Sequence, residues 1–220
     1  MIIDCTLAWT ALPYLCKGAL ITMQITAVAF SAGLILGAVF GYLHTLPIAL
    51  IRVPVSIYVT IIRGTPMLIH ITFFYYVLPL IGIHLSPFWA ASCAIGLNSA
   101  AYISQIIKSG IIGVGREQVE AARVLGFNTW QIGRYIMIPQ ALRIVFPALI
   151  SEYVTLLKDS SLASIVGVME LYKEARAIMN QTYDVVTVLF LVALFYLTLT
   201  GVSELIFRYI ERKMQWYVKN

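Results

Sequence analysis

Long apolar stretches alternate with short polar islands along the whole chain. Gly18 to Leu43 runs for 26 residues without a charge, about 39 Å as a helix and enough to cross a bilayer. Gly33, Gly37 and Gly41 recur there at intervals of four, which puts a smooth stripe on one side where another helix can approach closely. Met1 to Tyr14 reads as a partly apolar interfacial lead-in, and His44 to Pro54, with Arg52 and two prolines, as a turn. Val55 to Ile62 is apolar and stops at Arg63-Gly64-Thr65-Pro66, a strong local break. Met67 to Ile83 resumes the apolar pattern around Pro79. Residues 55–83 are either one broken span or a surface helix followed by a span; both give one net crossing. Further spans are predicted over Pro87 to Ile107, Pro139 to Leu157 and Val185 to Ile206.

Two polar islands interrupt these runs. The first, Gly115 to Gln140, predicts a short helix, a glycine turn and a second helix. Arg116, Glu117 and Glu120 suit a first turn, Val119 and Ala122 mark an apolar side, and Gly126 fits the position after the helix end. Arg116 and Glu120, and Glu120 and Arg123, are spaced to share a face. Asn128 and Gln131 make a weaker variant of a capping box, and Pro139 is expected to limit the helix that follows. The island is either an amphipathic connector on the membrane surface or a docking element. The second island, Lys158 to Asp184, contains Asp159-Ser160-Ser161-Leu162-Ala163-Ser164 and a helical pattern over Glu170 to Met179.

Polar residues inside the spans narrow the chemistry. Asn98, Tyr102 and Gln105 fall on one helical face, and Glu152 lies in the body of the fourth span. Such groups need partners in hydrocarbon. They belong either to interhelical bonding and buried pairs, with Arg143 or a partner chain for Glu152, or to the lining of a solute path. A fixed carboxylate in a low-dielectric path would favour a cationic amino acid.

Composition agrees: 60% of the 220 residues are hydrophobic and 11% charged, where a soluble domain has about a quarter charged. The chain is an integral membrane protein, so its net charge of +5 bears on topology rather than on nucleic acid. Five crossings with the basic tail, Arg208 to Asn220, in the cytoplasm also place there the basic 108–134 island and the loop with Arg52. The N-terminus and the acidic 158–184 island then lie outside, as the positive-inside rule requires. The start lacks the form of a cleaved signal peptide, since Asp4 precedes any basic residue. Cys5, Cys16 and Cys93 have no metal spacing, and His44, His70 and His84 show no mutual spacing that suggests a site. No phosphate loop, zinc motif or nucleophile elbow occurs. A polar channel face without a catalytic cluster favours transport over catalysis, and any nucleotide would bind another chain.

The run Glu120-Ala121-Ala122-Arg123-Val124-Leu125-Gly126, followed by Ile138-Pro139-Gln140-Ala141-Leu142-Arg143, resembles the "EAA" signature of membrane subunits of ATP-binding-cassette importers. Arg63-Gly64-Thr65-Pro66, Asn98-Ser99-Ala100-Ala101-Tyr102 and Leu157-Lys158-Asp159-Ser160-Ser161-Leu162 narrow the likeness to the polar amino-acid branch serving histidine, arginine, glutamine, glutamate and cystine. Glu211-Arg212-Lys213 resembles that branch's ending, and the likeness covers almost the whole chain. Gln105 stands where relatives commonly carry Glu, and Ser160 where they carry Thr.

The resemblance implies an all-α permease of five transmembrane helices with the type I importer fold, a single domain over 1–220 in the bacterial cytoplasmic membrane. It implies a cytoplasmic coupling segment at about 115–138, with Glu120, Ala121, Ala122, Arg123 and Gly126 engaging an ATPase dimer that holds the ATP and Mg. It also implies that the island at about 158–184, beginning with Lys158, Asp159 and Ser160, faces an external amino-acid-binding protein. A second permease subunit, identical or a close relative, completes the pathway. A stand-alone carrier or channel for small polar solutes is the competing class.

Overall fold

The computed structural model describes residues 4–217; the expectations for Met1 to Ile3 and for the tail beyond Tyr217 lie outside the described residues. The described residues form helices and short connections, with no strand among them. Helix α1 (Cys5–Thr45) opens on Asp4, whose carboxylate accepts from the N–H groups of Thr6 at 2.8 Å and Leu7 at 3.2 Å. The expected interfacial lead-in is therefore part of the first helix, with Pro13 inside it. Packing outweighs the proline's missing N–H: Ala11 and Leu15 are buried against Leu171, Ala175, Val188 and Val192.

The glycine stripe is where α1 meets α4 (Pro87–Ile112). A Cβ on Gly33 would lie 2.9 Å from the Ser99 side chain, and one on Gly37 or Gly41 would lie 2.7 Å from Ile103 or Ile107. The predicted close approach is thus present, and it locks the two helices that frame the middle of the bundle.

The expected turn over His44 to Pro54 shrinks to Leu46–Ile48, because α2 (Ala49–Gly64) already includes Pro54. After Thr65-Pro66 the chain turns into α3 (Met67–Thr72), which continues as helical turns to Ile81. The arms on either side of that break are bent by 103°, so residues 55–83 are interrupted at Thr65-Pro66, as both readings of this stretch expect. Among the described residues four helical stretches are long and apolar enough to cross a membrane, or five if the bent pair counts as one span.

Helix α5 (Arg116–Val124) and the short α6 (Thr129–Ile132) follow. Pro139 does not stop the second of these. A widened turn over Gly133–Met137, closed by the Ile138 N–H on the Gly133 carbonyl, leads into α7 (Ile138–Asp159). The same device precedes Pro79, where the Leu78 N–H bonds to the Phe73 carbonyl. In both places the five-residue turn loosens the backbone just before a residue whose ring would crowd a regular helix. A tight helical run over Ser160–Val166 then leads to α8 (Leu171–Thr182) and α9 (Val185–Tyr217). The central core joins α1, α3, α4, α7 and the 160–166 run through Ile25, Ala29, Ile71, Ile95, Leu156 and Val166.

Candidate functional site

A cavity of about 470 Å³ opens where the α2–α3 break meets α4 and α7. Arg63, Gly64, Thr65, Pro66 and Met67 form one wall, Asn98 and Tyr102 a second, and Glu152, Thr155, Leu156 and Asp159 a third. Local structure explains the placement. The Thr65-Pro66 break carries the 63–67 backbone across the bundle, while Asn98 and Tyr102 stand one turn apart on α4 and Glu152, Thr155 and Asp159 repeat along one side of α7.

Three charges face this space. The Arg63 guanidinium lies 5.0 Å from the centre of the Tyr102 ring, a cation–π contact that holds it at the wall. Glu152 accepts a hydrogen bond from the Ser99 hydroxyl at 2.9 Å. Of the partners offered for it, Arg143 forms no ion pair with it within 4.0 Å. Glu152, Asp159 and Arg63 share the cavity wall with no ion pair within 4.0 Å among the three. With two carboxylates against one guanidinium, the lining carries one formal negative charge. Such an arrangement can hold a zwitterion by both ends.

Other site residues fall elsewhere. Gln105 shares the helical face of Asn98 and Tyr102 but lies outside the cavity, bonded through its amide nitrogen to His44 Nδ1 at 3.3 Å. Ser160 is fully buried and donates to the Leu157 carbonyl at 2.7 Å, a helix-end role, while Lys158 is exposed. Arg63, read from sequence only as part of a turn, is a lining residue. Asp159 and Thr155 were also missed as lining residues, although Glu152, Thr155 and Asp159 follow helical spacing.

The first polar island adopts the predicted form. The Gly126 N–H bonds to the Arg123 carbonyl at 3.0 Å and the Phe127 N–H to the Ala122 carbonyl at 3.1 Å, which is a Schellman motif. Gly126 has φ +84° with open space around it, so its backbone angle rather than crowding demands glycine. Asn128 and Gln131 cap each other at 2.8 and 2.9 Å. Ala122 is the buried residue of α5, whereas Val124 and Leu125 are 87% and 76% exposed. Arg116, Glu120 and Arg123 form no ion pairs with one another; they line a separate cleft of about 540 Å³ with Thr45, Ile112 and Met137. The island ends in an apolar tip beside a charged cleft.

Comparison with known proteins decides the family, because residues 33–216 match the binding-protein-dependent transport system inner membrane component. The chain belongs to that family. A probable amino-acid ABC transporter permease protein of Bacillus subtilis, YckA, is 36% identical over 217 residues, covering 99% of this chain and 96% of that protein. The glutamine transport system permease protein GlnP of Escherichia coli K12 is 32% identical over 214 residues, covering 96% of this chain and 98% of the relative. A crystal structure of an amino acid ABC transporter with histidines superposes with a TM-score of 0.89 at 31% identity, covering 97% of this chain and 100% of that one. An inward-facing structure of the MetNI methionine ABC transporter superposes at 0.79 with 21% identity, covering 96% and 99%, and shows the shared fold. The protein is a permease subunit of an amino-acid ABC importer, a multi-pass membrane component with the type I importer fold. A stand-alone carrier is not favoured. Among the described residues no group of His, Cys, Asp or Glu is arranged to hold a metal.

Proposed function

We propose that the cavity between the α2–α3 break, α4 and α7 is where this permease receives its amino acid, and that the preferred substrate has a cationic side chain. The observation that carries this reading is the unpaired set of Arg63, Glu152 and Asp159 around one space. Arg63 takes the substrate α-carboxylate, one acidic residue takes the α-ammonium, and the second takes the side-chain cation. Charge–charge attraction of this kind is strong where water is scarce. A neutral amide side chain is the second reading, favoured by the glutamine name of the relative from Escherichia coli; one carboxyl group would then be protonated.

In the same proposal the chain is a single domain, and its 115–138 segment docks on a separate ATPase dimer that binds ATP and Mg. Exposed Val124 and Leu125 seat in the partner, and the Schellman turn at Gly126 sets the angle of approach. Helices α4 and α7 leave the two ends of this segment and wall the cavity, so a shift of the ATPase dimer reaches the substrate through packed elements. A second permease subunit completes the path, the binding protein meets the 158–184 side, and the N-terminus lies outside the cytoplasmic membrane with the C-terminus inside. Uptake into proteoliposomes containing permease, ATPase and binding protein tests the substrate class. Glu152→Gln is expected to raise the KM for arginine and lysine about tenfold or more relative to glutamine, taking about 1.5 kcal/mol for one lost hydrogen bond to a charged group. Unchanged selectivity among basic, neutral and acidic amino acids would remove the proposal.

A further inference from the structure

His70 lies in α3, five residues beyond Thr65, and does not line the cavity. Both of its ring nitrogens are engaged: Nε2 lies 2.5 Å from Thr65 Oγ1, and Nδ1 lies 3.2 Å from Asn98 Nδ2. The Thr65 hydroxyl commits its one proton to a backbone carbonyl of α2, so it accepts from Nε2–H, and Nδ1 of the neutral ring is the bare acceptor of the Asn98 amide nitrogen. The ring proton is therefore on Nε2 and is donated to Thr65, whose hydroxyl donates onward to the Ile61 carbonyl at 2.9 Å. Donors and acceptors run in one direction from α4, through the imidazole, to the last turn of α2. The relay crosses the 103° bend, and its outer members Thr65 and Asn98 both line the cavity.

Asn98 is nearly buried, with its amide nitrogen committed to His70. Its carbonyl oxygen takes no hydrogen bond among the described residues and is not a buried unsatisfied atom, which leaves it open as an acceptor at the cavity wall. A side chain free to rotate would present nitrogen or oxygen there equally; the imidazole acceptor selects one orientation. We propose that His70 is a positioning residue for the amino-acid cavity, fixing the Asn98 amide and the Thr65 hydroxyl toward the substrate through its Nε2–H tautomer. This rests on the cavity being the substrate site.

The experiment uses the assembled transporter in proteoliposomes, with arginine and glutamine as probes. His70→Leu removes both bonds. The loss of one orienting hydrogen bond raises KM about threefold to tenfold, with little change in maximal rate. His70→Gln keeps one donor and one acceptor and is expected to stay within about twofold of wild type. The His70→Leu, Asn98→Ala double variant is expected to show no higher KM than Asn98→Ala alone. An unchanged KM in His70→Leu, or effects that multiply in the double variant, would overturn the proposal. Nitrogen-15 NMR of the wild-type complex, with His70 assigned by difference from His70→Gln, needs no disruptive variant. The Nε2–H tautomer is expected; an Nδ1–H tautomer or a doubly protonated ring overturns the proposal. If Glu152→Gln leaves selectivity intact while the tautomer and coupling are as stated, the substrate assignment fails and the relay stands.

Discussion

Replacing Gly37 with alanine inserts one methyl group where α1 meets α4. Its carbon would lie 2.7 Å from two atoms of Ile103 and 3.0 Å from the Ala100 carbonyl. Carbon atoms pack at about 3.5–4.0 Å, so α1 and α4 must separate by about 1 Å. The Ala100 carbonyl belongs to the backbone, so a rotamer change at Ile103 relieves only part of the crowding. Overpacking of this kind costs about 1–3 kcal/mol, which corresponds to a fall of about 2–12 °C in the unfolding midpoint for a chain of this size. Gly201→Ala is the matched control, since a Cβ there meets nothing within 4 Å. Thermal unfolding of both variants in one mild detergent is the assay, with uptake as a second readout because α4 carries Asn98 and Tyr102. Gly37→Ala is expected to unfold earlier and raise KM, with Gly201→Ala at or above wild type. Equal midpoints for the two variants would refute the packing argument.

Two other perturbations fall outside the cavity lining. Gly126→Val places a β-branched residue at φ +84°; it is expected to leave membrane insertion intact and to lower binding-protein-stimulated ATPase activity several-fold, through about 1–3 kcal/mol of strain, and normal stimulation would refute the role of the Gly126 turn in docking. Glu170 caps α8 through the Tyr172 and Lys173 N–H groups and accepts from Tyr196, yet burial pushes its carboxyl up to about 7 from an ordinary 4.5. A raised acid pKa means that the folded state binds more protons, so its contribution to stability falls as pH rises from about 4.5 through about 7. Wild type is expected to lose stability over this window relative to Glu170→Gln, and parallel melting curves would contradict that.

Features set by a residue and its near neighbours were legible in the sequence. The Schellman turn at Gly126 and the Asn128–Gln131 box depend on local chemistry, and the Gly33, Gly37 and Gly41 stripe on helical spacing alone. Proline was over-read. Pro54 lies inside a helix and Pro139 follows a widened turn, because packing and a local change of helical pitch offset one absent N–H. Helical periodicity put Gln105 on the face of Asn98 and Tyr102 but not the end of the cavity, which the 63–67 wall sets. His70 was unreadable because Thr65 is within one sequence motif of it but Asn98 is 28 positions away on another helix. No spacing rule among histidines can detect such a partner.

The most direct measurement is substrate protection of a cysteine placed on the cavity wall. With Cys5, Cys16 and Cys93 replaced by serine, Thr155→Cys puts a thiol on the lining and Ser203→Cys puts one on α9, away from it. The rate of modification by a small methanethiosulfonate is followed in the assembled transporter with and without saturating arginine. A cavity that binds the substrate predicts slower modification at position 155 with arginine present and no change at position 203. Equal rates at position 155 with and without arginine, in a variant that still transports it, would contradict the account.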